Sequence, residues 1–264
     1  MRTQRNVVAA LAALACLALA PAGLAAQDYL GVAPPKVTTA PAEAVTCAAC
    51  HGAKGVAIAP TFPNLAGQNY NYLLKSLEDF RAGKWQATPM DAIIKTVPVA
   101  GGNANIKALA AYFSHFKRDE AATAAAAGKI PEAEAKAGYQ LYFEGNPKAP
   151  IPIPSCAACH IATGMGDAPM AVPRLAGQNA AYVAAQLAAF KSGKRHNSPD
   201  GVMGKIASRL TEKDIQDVAA YVSHMRPSLL PGSGPKTLDD FMKVSKGTPV
   251  PGIPASEIIP AHKP

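Results

Sequence analysis

Cys47-Ala48-Ala49-Cys50-His51 returns later in the chain as Cys156-Ala157-Ala158-Cys159-His160. Outward from this pair, more of the sequence repeats. Pro63-Asn64-Leu65-Ala66-Gly67-Gln68-Asn69 returns as Pro173-Arg174-Leu175-Ala176-Gly177-Gln178-Asn179. Phe80, Gly83 and Lys84 match Phe190, Gly193 and Lys194, and Tyr112, Ser114 and His115 match Tyr221, Ser223 and His224. The spacing holds at 109 or 110 residues except around the loops before Met90 and Met203. A match kept in register over so long a stretch marks a duplicated domain, which settles the domain count before any single residue is weighed.

Each repeat reads as helical. Tyr70, Leu73, Leu74, Leu77 and Phe80 recur at helix spacing, as do Val183, Ala184, Leu187 and Phe190. Gly83 and Gly193 stand where such helices would end in a left-handed residue. A later helix is expected from about Asn105 to Phe116, and its counterpart from Thr211 to about Met225. Thr211 is placed to cap the latter, with Asp214 as the reciprocal partner. Pro131-Glu132 starts another helix well. No alternating strand pattern of useful length occurs. Aromatic residues make up 6% of the chain and hydrophobic residues 49%, so an alanine-rich, all-α fold filled in part by a bulky cofactor is expected.

Of five cysteines, Cys16 lies in an N-terminal apolar run; Cys47, Cys50, Cys156 and Cys159 all belong to the two Cys-x-x-Cys-His units. That spacing suits covalent haem attachment: two thiols add across the haem vinyl groups, and His51 or His160 reaches the iron. A shared zinc would need two pairs far apart in a duplicated chain to meet, and a thioredoxin-like dithiol needs a strand–helix–strand context that is missing. Two covalently bound haem c groups are therefore expected.

The sixth iron ligand in the first repeat is read as Met90, the one methionine available there; a thioether is a soft neutral ligand that favours ferrous iron. In the second repeat Met203 holds the matching loop position, against Met165 and Met170 close behind the attachment motif, Met225 at the last helix end, and His196 in the same loop. His115 and His224 are read as structural or surface residues. Pro63 and Pro173 follow the motif histidines by 12 and 13 residues. Their carbonyls could accept the other ring hydrogen of each histidine and fix its orientation; ordinary turn prolines are the alternative.

Arg2 and Arg5, the apolar run Val7 to Ala20, Pro21 and the small residues through Ala26 form the three-part pattern of an export signal. The expected organisation is a signal peptide over 1–26, an N-terminal extension over 27–41, a first domain over 42–118, a linker over 119–131, a second domain over 132–228 and a Pro/Gly-rich extension over 229–264. Within that extension a short helix around Leu238 to Val244 is an option. The formal charge is +8, and four haem propionates would reduce it, so nucleic-acid binding is not inferred. The cluster Lys191, Lys194, Arg195, Lys205 and Arg209 is the expected docking patch for an acidic partner.

With CAACH, P-x-LAGQ, F-x-x-G-K and a late loop methionine in each repeat, residues 42–228 resemble the cytochrome c4 family. The resemblance implies two tandem cytochrome c-like helical domains that face each other, each wrapped around one haem with His/Met ligation, and the proline-carbonyl role for Pro63 and Pro173. It implies periplasmic electron transfer to redox partners such as a terminal oxidase, with loose membrane association in some members. Two departures stand out. The first repeat has Thr38-Thr39-Ala40-Pro41 where a longer helix is usual, and Ile161 replaces the glycine that follows the haem histidine in the first repeat, Gly52. These features, with the long tail, leave a second reading: a dedicated electron-accepting subunit of a periplasmic dehydrogenase. An enzyme acting at one haem would need an open iron position, and each repeat has its own methionine.

Overall fold

Alanine-rich segments and capped starts produce a chain of helices, seen in a computed structural model that describes residues 34–37, 39–85, 89–98 and 104–226. The expected export signal and the C-terminal extension lie outside these residues. The helices, in chain order, are α1 (Ala44–His51), α2 (Tyr70–Arg81), α3 (Met90–Ile93), α4 (Ala104–Ser114), α5 (Glu120–Ala126), α6 (Glu132–Phe143), α7 (Ala157–His160), α8 (Ala180–Lys191), α9 (Val202–Ala207) and α10 (Glu212–His224). No strand occurs among the described residues beyond two isolated bridges, Trp85 with Arg195 and Asn146 with Ile153. The fold is all-α, as the periodicity predicts.

The first half packs α2 against α4, and the second packs α8 and α6 against α10. Tyr70, Leu73, Leu74 and Phe80 of α2 meet Ile106, Leu109 and Phe113 of α4 in one core. The other core joins Leu141 and Tyr142 of α6 to Val183, Ala184, Ile215, Val218 and Val222. Because α2 and α8 bury their stripes at helix spacing, they end where the stripe ends, at Gly83 (φ 67°) and Gly193 (φ 75°). Only glycine adopts that conformation without steric cost.

The start of α10 shows the reciprocal capping box read from the sequence: Thr211 Oγ1 accepts from the Asp214 N–H at 3.0 Å, and Asp214 Oδ2 accepts from the Thr211 N–H at 2.8 Å. Gly138 lets α6 cross α10 closely. A Cβ at that position would stand 2.3 Å from the Asp217 carbonyl oxygen, well inside van der Waals contact.

The small-residue connection between the halves contains a helix, α5. Asp119 caps α5 by accepting from the Ala122 N–H at 2.9 Å, and Thr123 and Ala124 are buried. Alanine needs only an N-cap and a surface to lie on, and α10 provides the surface. His224 secures the end of this connection: its two ring nitrogens face the carbonyls of Ala220 (2.9 Å) and Gly128 (3.0 Å). The structural reading of His224 holds, and His115, its counterpart, is exposed.

Candidate haem sites and the interface between the repeats

Helix spacing puts Cys47 and Cys50 one turn apart on α1, with His51 at its C-terminal end. In the second half Cys156 precedes α7, and Cys159 and His160 end it. Both imidazoles are buried. His51 Nδ1 lies 2.9 Å from the Pro63 carbonyl oxygen and His160 Nδ1 lies 3.0 Å from that of Pro173. A carbonyl can only accept, so each Nδ1 carries the hydrogen and each Nε2 presents its lone pair. Burial pushes both histidine pKa values below the ordinary range, with the proline carbonyl acting in the opposite direction. The neutral imidazole is the metal-ligating form. The two prolines are thus more than turn residues.

The thiols are unpaired. Burial pushes Cys47 up, and Cys156 is raised to about 12 by the same cause. For Cys47 and Cys156 that is the opposite direction from the lowered pKa of a thioredoxin-like nucleophile. Among the described residues no group of three or more His, Cys, Asp or Glu side chains could hold a metal ion, so the shared zinc finds no support. Two half-buried or exposed cysteines beside a buried, orientation-locked histidine do fit a thioether-bonded haem in each half.

The loop that brings each proline back to its histidine is built the same way twice. The Gly55 carbonyl accepts from the N–H groups of Leu65 (2.7 Å) and Ala66 (2.9 Å), and the Gly164 carbonyl accepts from Leu175 (2.8 Å) and Ala176 (3.0 Å). Met90 opens α3, half-buried against the first core. Met203 lies half-buried in α9, its N–H donating to Ser198 Oγ at 3.1 Å. Of the competitors, Met225 is sunk in the second core, while Met170 and His196 face solvent. Met165 is half-buried, and its carbonyl accepts from Asn69 Nδ2 at 3.1 Å.

The repeated LAGQN element also joins the halves, a role the sequence reading did not assign. Gln178 accepts from the Asn64 N–H (2.8 Å) and donates to the Asn64 carbonyl (2.9 Å). Gln68 does the same to Arg174, at 2.7 and 2.9 Å. Asn179 Nδ2 donates to the Phe62 carbonyl and Asn69 Nδ2 to that of Val172, each at 2.7 Å. Arg118 ties the loops together, donating to the carbonyls of Ala66 (3.1 Å) and Ala176 (2.9 Å). The available signal was a polar Gln-Asn pair kept in both copies of an otherwise apolar motif. Such polar groups, once buried, require partners.

Arg195 corrects the expected docking patch. It is buried rather than a surface cation, with its guanidinium 3.5 Å over the Trp85 ring of the first half and 4.4 Å from Phe190. It donates to Gln186 (2.9 Å), Asn197 (3.0 Å) and the Tyr72 hydroxyl (3.2 Å). A desolvated cation–π contact stabilises by about 2 kcal/mol, so an arginine beside a tryptophan from the other half is better placed inside the joint than in water. Lys191 is drawn to the Leu210 carbonyl and Glu212, and Arg209 to the Pro152 carbonyl. Lys194 and Lys205 remain as exposed charges of the cluster.

Duplicated attachment motifs, each with a histidine fixed by a proline carbonyl, define a helical c-type cytochrome with two covalently bound haem c groups. The chain belongs to the cytochrome c family, whose sequence profile, "Cytochrome c", matches residues 41–117 and 135–226. It is 38% identical over 183 residues to cytochrome c4 of Azotobacter vinelandii, covering 68% of this chain and 84% of that protein. It is 36% identical to a thiosulfate dehydrogenase electron acceptor of Stutzerimonas stutzeri, covering 69% of this chain and 80% of the relative. The crystal structure of reduced recombinant cytochrome c4 from Pseudomonas stutzeri superposes with a TM-score of 0.61 at 32% identity, covering 71% of this chain and 99% of that one. No described helix is long and apolar enough to cross a membrane.

Proposed function

We propose that this chain is a periplasmic di-haem electron carrier, exported by residues 1–26, in which His51 and Met90 ligate one iron and His160 and Met203 the other. The carrying observation is the matched pair of buried histidines, each with Nδ1 locked on a proline carbonyl and Nε2 left to coordinate. Cys47, Cys50, Cys156 and Cys159 hold the porphyrins by thioethers. The haem iron supplies a one-electron couple. The protein's part is to hold the ligands still, keep the site dry and present a docking surface, so it acts as an electron-transfer protein rather than an enzyme. Electrons pass one at a time to a redox partner such as a terminal oxidase, and exposed Lys194 and Lys205 suit an acidic one.

A second reading, a dedicated electron-accepting subunit of a periplasmic dehydrogenase, is favoured by the relative named as a thiosulfate dehydrogenase electron acceptor. Ligation is tested by Met90→Ala and Met203→Ala. Each should remove about half of the near-infrared methionine-to-iron band and lower one of the two potentials. A band left intact by Met203→Ala, with a spectrum altered by His196→Ala, would transfer the second iron to His196. Turnover of thiosulfate by the purified protein alone would defeat the carrier reading.

A further inference from the structure

The proline carbonyl that holds each haem histidine belongs to a peptide group whose N–H is held from the opposite half. Pro63 accepts from His51 Nδ1 at 2.9 Å, and the Asn64 N–H, in the same planar peptide, donates to Gln178 Oε1 at 2.8 Å. The other half repeats the chain: His160 Nδ1 to the Pro173 carbonyl at 3.0 Å, and the Arg174 N–H to Gln68 Oε1 at 2.7 Å. The four residues at the joint are sealed from water, with exposures of 2% for Asn64, 4% for Gln68, 4% for Arg174 and 3% for Gln178. Neither histidine therefore ends its hydrogen-bond chain in its own domain.

We propose that Gln178 and Gln68 are crossed positioning residues. Each sets the donor strength of the axial histidine in the other half, through the Pro63–Asn64 or Pro173–Arg174 peptide, and lowers the potential of that haem. The inference rests on the reading above that His51 and His160 ligate the irons. An acceptor on a peptide N–H shifts electron density toward the carbonyl oxygen of the same group, and hydrogen bonds in series strengthen one another where the dielectric is low. A stronger carbonyl acceptor pulls harder on the Nδ1 hydrogen. The imidazole then gains anionic character, becomes a better donor at Nε2 and favours ferric iron. Docking of the two halves thereby enters the potential of both haems without any residue touching iron across the joint.

The test uses the full-length protein with both haems. Reduction of each haem is followed through its own methyl resonances during a redox titration, alongside the ring N–H resonance of its axial histidine. Gln178→Met, similar in length but without an acceptor, should raise the potential of the haem on Cys47 and Cys50, shift the His51 ring N–H, and leave the second haem in place. Gln68→Met should do the reverse. Gln178→Glu keeps an oxygen facing the Asn64 N–H, so the first haem should not rise, and should move down more than the second. That variant carries the test alone if the Met substitutions fail to fold. Equal shifts in both haems, a shift confined to the mutated half, or no shift with ligation intact would each overturn the proposal. The underlying ligand assignment fails separately and earlier: a wild-type His51 ring N–H with no paramagnetic shift would show that His51 is not on the iron.

Discussion

The two halves of this chain repeat one sequence plan, yet the second half carries a helix that the described first half does not. In the second half α6 lies across α10 and buries Tyr221 to 2% exposure, while the end of the α5 connection meets His224, 7% exposed. Among the described residues the matching face of α4 has no such helix across it: Tyr112 is half-buried and His115 is exposed. The hydroxyl that secures the turn after the haem histidine differs accordingly. From α6, Tyr142 donates to the Ile161 carbonyl at 2.7 Å; in the first half Tyr112 of α4 reaches the Ala53 carbonyl at 3.3 Å. The turn itself differs too. Gly52 has φ 73° and Ile161 has φ 54°, a left-handed conformation that is strained for a β-branched residue. The second half holds a strained residue in place with a buried tyrosine from α6, a support with no counterpart among the described residues of the first half. Duplicated domains can thus keep the same haem-binding chemistry while supporting it by different packing.

Substitution at the α6–α10 crossing should separate the halves most. Gly138→Leu places a Cβ 2.3 Å from the Asp217 carbonyl and 2.5 Å from Tyr221 Cβ, and both belong to the facing helix. A cost of about 3 kcal/mol is expected, confined to the second half. Hydrogen exchange resolved by segment would show α6 and α10 losing protection while α2 and α4 keep theirs. Equal loss in both halves would mean that they do not unfold as separate units.

A smaller effect is expected from the turn tyrosine. Tyr142→Phe leaves the ring and removes the hydroxyl from the Ile161 carbonyl, which should cost about 1–2 kcal/mol in denaturant unfolding. Tyr112→Phe, whose longer bond is exposed to solvent, should cost a few tenths of a kcal/mol at most. If the two substitutions cost the same, the asymmetry of support is wrong.

A modest effect has the opposite sign. Ile161→Gly relieves left-handed strain of roughly 1–3 kcal/mol but adds unfolded-state entropy of roughly 0.5–1 kcal/mol, so the protein should be no less stable and should gain about 1 kcal/mol at the middle of these ranges. The reverse exchange should not be tolerated: a Cβ at Gly52 would stand 2.1 Å from the Val56 carbonyl oxygen. A destabilised Ile161→Gly protein would show that the isoleucine side chain contributes more packing than its exposed position suggests.

The sequence by itself determined the duplication, the all-α class, the four thiols and two histidines of the attachment motifs, and many local details. Helix α6 begins at Glu132 as the preceding proline implies, Thr211 and Asp214 form their box, and Gly83 and Gly193 end their helices. Each of these is governed by residues within a turn or two, so the local pattern suffices. The proline carbonyls were legible for a related reason, since 12 and 13 residues make a loop short enough to return to its own histidine. Tertiary structure decided what lies opposite. Arg195 reads as one more basic residue in a surface cluster until the Trp85 ring, 110 positions away in sequence, is set beneath it. The LAGQN copies read as a family mark until Gln178 meets Asn64 and Gln68 meets Arg174. The alanine-rich connection reads as a linker until α10 gives it a surface on which a helix is stable. In all three cases the local sequence permits more than one state, and a partner distant in the chain selects between burial and exposure, or between helix and coil.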